Sequence, residues 1–379
     1  QRPMTQKYTW DGREEGVLGY DDINIEMVYT QYIRINFTFT QGGAWVFLDE
    51  IEIWGTDGKA ANAGALPIIE EDDEEEDESD YVGYLRAGEQ TGDVNNLVLL
   101  YNQGNMDGTW RVKENIIPYV GYVNRDGEIE DWLFDGVLYL GLNAPSGRQF
   151  GENTNPSNKQ DWDWYLNNTF KTDGDMATLN EAVKEVGEKL GEPEKKLKVF
   201  LMIPYPSMAQ SAFGDIDGAG EVLNFNHKEV GEEKATENKK KAMNWYMNNA
   251  LNLWEENNYS NLEFIGFYWL NEWVNPEVPD EPELIGYAKD IAHNNGLKLL
   301  WIPHYGAFGY DIWAELGFDS AVLQPGYMFN QYIDASRLEE TAKLSRKYGL
   351  GVEIEVDGHV LNDTEQGEIN RNKYYDYLN

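Results

Sequence analysis

Leu262-Glu263-Phe264-Ile265-Gly266-Phe267-Tyr268-Trp269-Leu270-Asn271-Glu272-Trp273 is the stretch on which the reading of this chain turns. It is short and largely apolar up to Leu270, as suits a strand buried on both faces, and it then breaks into an Asn-Glu pair between two Trp. Six further runs have the same character: NLVLLYN (96–102), GVLYLGLN (136–143), LKVFLMIPYP (197–206), LKLLWIPHYG (297–306), SAVLQPGY (320–327) and GVEIEVDG (351–358). Between them lie amphipathic stretches with helical spacing at Thr178–Leu190, Glu232–Glu256, Glu283–Asn295 and Ser336–Tyr348, and one more follows at about Thr364–Leu378.

Strand, helix, strand order calls for a parallel sheet, and seven strands favour a closed barrel over an open doubly wound sheet. No Gly-x-Gly-x-x-Gly follows the first strand, which weakens a dinucleotide-binding alternative. The expectation is therefore an α/β fold, a (β/α)8 TIM-type barrel over residues 81–379, cut before its last strand or completed by Tyr81–Gly88. Residues 1–58 read differently. INIEMV, YIRINFTF and AWVFLDEIEIWG alternate apolar and polar side chains, as in part of a small antiparallel β-sandwich. Residues 59–80 turn small and acidic, ending in EEDDEEEDESD, and read as a linker or exposed loop. The abrupt opening at Gln1-Arg2-Pro3 and the ending within a helix point to a piece of a longer polypeptide, with further domains as companions.

With 30 Lys and Arg against 68 Asp and Glu, the formal charge is −38. Such a field repels phosphate backbones and anionic bilayers, so nucleic acid is excluded as a partner and neutral polymers fit better. No run approaches the ~18 apolar residues of a membrane span, so no membrane insertion is expected. The 13 Trp and 24 Tyr suit stacking on the apolar faces of sugars as well as an aromatic core. There is no Cys, and the four His at 227, 293, 304 and 359 are scattered, so no cofactor and no catalytic metal is expected; the acidic run leaves only a structural calcium ion open.

A parallel barrel works at the carboxyl ends of its strands, so the polar residues closing each run are the candidate site. The fourth run closes on Asn271 and Glu272 beside Trp269; strict alternation would aim Asn271 and Glu272 to opposite faces, so the strand must bend or end there. In the seventh, Glu353, Glu355 and Asp357 share a face with a period of two, and burying three acids is costly unless they are paired or used. Glycoside hydrolysis needs two carboxyls across the scissile bond, which makes Glu272 and Glu355 the candidate catalytic pair, with Glu353 or Asp357 as alternatives for the place of Glu355. Tyr205, His304, Tyr305, Gln324 and Tyr327 close other runs, and Trp164 follows the second; with Trp269, Asn271, Glu353 and Asp357 they are the candidate sugar contacts.

This arrangement resembles the large glycosidase clan in which the acid/base follows an Asn at the end of strand four and the nucleophile closes strand seven. The resemblance implies Glu272 as acid/base, Asn271 as a contact to the sugar 2-hydroxyl and Glu355 as nucleophile, with a retaining outcome. Together YVGYLRAG, DWLFDGVLYLGL, DWDWYL, IPYP, GFYWLNE, WIPHYGAFGYDIWAELGFDSAVLQPGY and GVEIEVD resemble the DUF4855 family, a domain of unknown function of bacterial extracellular proteins. FTQGGAWVFLDEIEIWG is similar to the closing strands of discoidin-like carbohydrate-binding modules. The resemblance implies a secreted or cell-surface protein. The expected function is a glycoside hydrolase acting on a polysaccharide or glycan, against a non-catalytic carbohydrate-binding or cell-envelope protein on the same scaffold. An aldolase-like enzyme would want an inward Lys, and the strand ends carry none.

Overall fold

The computed structural model describes residues 81–102, 112–152, 154–275 and 278–378; the expected sandwich portion (1–58) and acidic linker (59–80) lie outside them. In chain order the elements are β1 (Leu97–Tyr101), α1 (Lys113–Val120), β2 (Gly121–Val123), β3 (Ile129–Trp132), β4 (Gly136–Leu140), α2 (Lys159–Phe170), α3 (Asp175–Leu190), β5 (Leu197–Ile203), α4 (His227–Val230) and α5 (Glu232–Asn257). They continue with β6 (Leu262–Trp269), α6 (Glu281–Asn294), β7 (Lys298–Trp301), α7 (Trp313–Leu316), β8 (Ser320–Leu323), α8 (Ser336–Tyr348), β9 (Gly351–Val352) and α9 (Glu365–Leu378). None of these helices is long and apolar enough to cross a membrane.

Seven strands form one parallel sheet in the order β1-β4-β5-β6-β7-β8-β9, and β2 and β3 form a separate antiparallel hairpin. The closed eight-stranded barrel expected from the run count is not what forms. The sheet is a curled half-barrel, and among the described residues no ladder joins β9 to β1. Closure needs a continuous hydrogen-bonded seam, whereas β9 is only two residues long and its last ladder bond runs from the Glu353 N–H to the Leu323 carbonyl. Tyr81–Gly88 does not fill the gap: Gly83 takes φ 94° and breaks the extended run, and the Gly83 and Leu85 amides donate to the carbonyls of Arg346 and Leu350.

The strands are apolar because both faces are covered; every residue of β4 and all but Glu263 of β6 are buried. Gly266 marks the tightest point of the sheet, because a Cβ there would lie 2.5 Å from both the Lys298 carbonyl oxygen and the Phe200 ring. Close approach, not a turn, demands glycine here, and the neighbouring strand shifts register between Val199 and Phe200. On the helical layer, the fully buried Lys239 of α5 reaches Asp280, the residue that opens α6, at 2.9 Å, and Thr236 donates to the same carboxylate at 2.8 Å.

Candidate active site

Chain order and parallel pairing bring the carboxyl ends of β6, β7, β8 and β9 side by side. The segments after β6, β7 and β8 each deliver one polar group, Glu272, His304 and Gln324, and the segment after β9 delivers two, Glu353 and Glu355. The loops are zipped by main-chain bonds, from His304 N–H to the Glu272 carbonyl (3.1 Å) and from Gln324 N–H to that of Pro303 (3.0 Å). Glu272 is open to solvent at the mouth but ringed by protein, and that partial desolvation raises its pKa; the Gln324 amide and the His304 charge oppose the rise, and Glu355 adds to it. Glu353 is half-buried, and burial first, then the charges of Glu355 and Glu272, lift its carboxyl to about 8. Its Oε2 is buried without a hydrogen-bond partner.

Glu355 has a different setting. It is 4% exposed and accepts from the Gly326 N–H (2.9 Å), the Met328 N–H (3.2 Å) and the Tyr377 hydroxyl of α9 (2.5 Å). Three acids thus form one electrostatic group with unlike surroundings, the usual means of giving carboxyls different roles. Two tyrosines lie beside them: Tyr101 at the end of β1 and Tyr268 in β6 both have raised pKa values, chiefly from burial and then from Glu353 and Glu272.

Asn271, expected as a sugar contact, lies beyond the end of β6 and turns away from the group. Its side-chain amide donates to the Trp273 carbonyl (2.8 Å) and to Glu281 (3.2 Å), while its main-chain carbonyl accepts from the Trp301 indole (2.7 Å). Around fully buried Glu281 gather the Asn275 N–H (2.8 Å), Glu152 through the Asn275 amide (2.7 Å), and Tyr205. Burial lifts Glu281 to about 7 against the bonds from Asn275 and Asn271. This network braces the turn that carries Glu272. Tyr205 and Trp269 meet edge to face at 5.9 Å, both buried, with the Trp269 indole N–H unpartnered.

The remaining candidates are placed as follows. Tyr305 donates to Glu340 (2.7 Å) beneath the Arg337 guanidinium, and Tyr327 is buried and donates to Asp376 of α9 (2.6 Å). Trp164 is half-buried on α2 against the core. Asp357 caps the short helical turn 358–361, accepting from the His359 N–H and pairing with its ring, which keeps its carboxyl below the usual range. The structure therefore groups Glu272, His304, Gln324, Glu353 and Glu355. It places Asn271, Trp269 and Tyr205 in the brace behind them, and Trp164 elsewhere.

Sequence reasoning missed Tyr101, Tyr268, Glu281 and the α9 residues Lys373 and Tyr377. Lys373 donates to the carbonyls of Tyr327 (2.6 Å) and Asn330 (2.8 Å), and burial lowers its pKa. A polar residue within an apolar run, as Tyr268 is in β6, was the one visible signal; the helix residues gave none. No curated protein matches the chain. A family model does match, over residues 96–379, and its description is a domain of unknown function, DUF4855. That match covers well over half of the sequence and takes in every sheet strand and every carboxyl of the group, and so the chain belongs to the DUF4855 family.

Proposed function

We propose that this protein is an extracellular glycoside hydrolase acting on a polysaccharide or glycan, with Glu272 as acid/base and Glu355 as nucleophile. The observation that carries the reading is the convergence of Glu272, Glu353 and Glu355, close enough to perturb one another, at the carboxyl ends of parallel strands. Ligands of such sheets bind at that end. With its pKa raised, Glu272 is suited to hold a proton and pass it to the leaving oxygen, while Glu355, fixed by three donors, attacks the anomeric carbon. Glu272, then ionised, takes a proton from the water that releases the glycosyl group. Glu353, neutral below about 8, limits the negative charge at the centre.

One observation favours a binding-only protein: both Glu355 oxygens are engaged and the side chain is 4% exposed. The deciding experiment incubates wild type, Glu272→Gln and Glu355→Gln with a panel of glycans and polysaccharides and measures released reducing ends. Release by wild type and loss of at least ~100-fold in each variant, with unchanged thermal unfolding, is expected. Undiminished release by both variants would remove the assignment.

A further inference from the structure

Aromatic rings are mostly interior in this fold, and among the seven exposed ones of the described residues, five are tyrosines, whose hydroxyls face water readily. Among the described residues only Phe308 and Phe329 are exposed phenylalanines, at 48% and 67%, and both lie on loops leaving the carboxyl ends of strands, after β7 and β8. Phe308 pairs with Trp273, their ring centroids 6.0 Å apart and their planes 35° apart. Trp273 directly follows Glu272, and the Val274 N–H donates to the Phe308 carbonyl at 3.1 Å, so the ring pair is fastened beside that acid. Phe329 directly follows Met328, whose N–H holds Glu355, and Tyr332 three residues on is 88% exposed. Each acid of the proposed pair thus has an aromatic ledge within one residue of the backbone that places it or holds it.

Exposed rings grouped at the rim of a site, unlike ones scattered singly, offer apolar faces to a ligand. A protein partner would face a strongly acidic surface and a bowl of three carboxyls, and an anionic polymer would be repelled by both. A neutral sugar chain suits the setting: its axial C–H faces stack on rings while its hydroxyls meet Gln324, His304 and Tyr101. We infer that Trp273–Phe308 and Phe329–Tyr332 are binding subsites for successive sugars of a neutral polysaccharide, so that the ligand is a chain rather than a single terminal sugar. The inference deepens the hydrolase reading and rests on it for the position of the acids, but it concerns binding.

The test uses Glu272→Gln, which keeps the site while removing turnover, in native gels cast with soluble neutral polymers: mixed-linkage glucan, arabinoxylan, galactomannan and amylose. At least one polymer should retard it, and adding Phe308→Ala or Phe329→Ala should weaken retention by about five- to tenfold each, the worth of one ring contact. Tyr122→Ala, on the hairpin before β4, is the control and should leave retention unchanged. Retardation by no polymer, or retention in both ring variants equal to that of Glu272→Gln alone, overturns the inference. Retention without any release of reducing ends by wild type would keep the subsites and remove the hydrolase. Release with retention insensitive to both rings would do the opposite.

Discussion

Replacing Glu353 by Gln will stabilise the protein, and the gain will grow with pH. Burial and the charges of Glu355 and Glu272 hold the folded carboxyl at about 8, against 4.5 for an ordinary glutamate. Below pH 4 both folded and unfolded chains carry the proton and the group contributes nothing. As pH climbs past 4.5 the unfolded chain releases its proton while the folded chain keeps it, so the unfolded state gains and stability falls until about pH 8, where both are ionised. The gap of about 3.5 between the two pKa values, at ~1.36 kcal/mol each, is worth roughly 5 kcal/mol. Gln never ionises, but Glu353 is only half-buried, so solvent screens part of that cost, and a buried amide replaces the unpartnered Oε2. The expected gain is therefore about 2–3 kcal/mol at pH 8.5 and near zero at pH 4.5. Urea unfolding of both proteins across that range measures it. Parallel curves from pH 4.5 to pH 9 would refute the reasoning, because they would mean that Glu353 ionises as freely in the fold as in water.

Two other substitutions probe the scaffold. Lys239→Ala strands the Asp280 carboxylate at the start of α6 and should cost about 3–5 kcal/mol, seen as a lower urea midpoint. Gly266→Ala forces a methyl against the Lys298 carbonyl and the Phe200 ring and should cost at least about 1–3 kcal/mol; an unchanged melting temperature would show that the β5–β6–β7 contact is looser than described.

Much of this architecture was legible before any coordinates. Each sheet strand lies inside one of the seven apolar runs, because a strand covered on both faces has to be apolar throughout, and α3, α5, α6, α8 and α9 overlap the stretches with helical spacing. Closure was not legible. A strand of an open curled sheet is covered on both faces just as a barrel strand is, so counting runs cannot separate the two, and the brevity of β9 depends on where Glu355 finds its donors. At the site, the Asn-Glu pair suggested two groups serving together, yet Asn271 is engaged with Trp273 and Glu281 behind Glu272, and the GVEIEVD pattern hid that Asp357 is occupied in a cap. The brace of Glu281, Asn275 and Glu152 joins residues more than a hundred positions apart, and no local pattern records such a meeting.

The docking of α9 has a consequence for the order in which the protein becomes competent. Tyr377 supplies the third donor to Glu355, Asp376 holds Tyr327, and Lys373 ties down the segment whose amides grip the same carboxylate. A chain that has emerged through Glu355 holds every strand of its sheet, yet that carboxylate still lacks the hydroxyl and the fixed loop that orient it. The sheet's ladder bonds need nothing from α9, whereas the setting of Glu355 is complete only once that helix lies back over it.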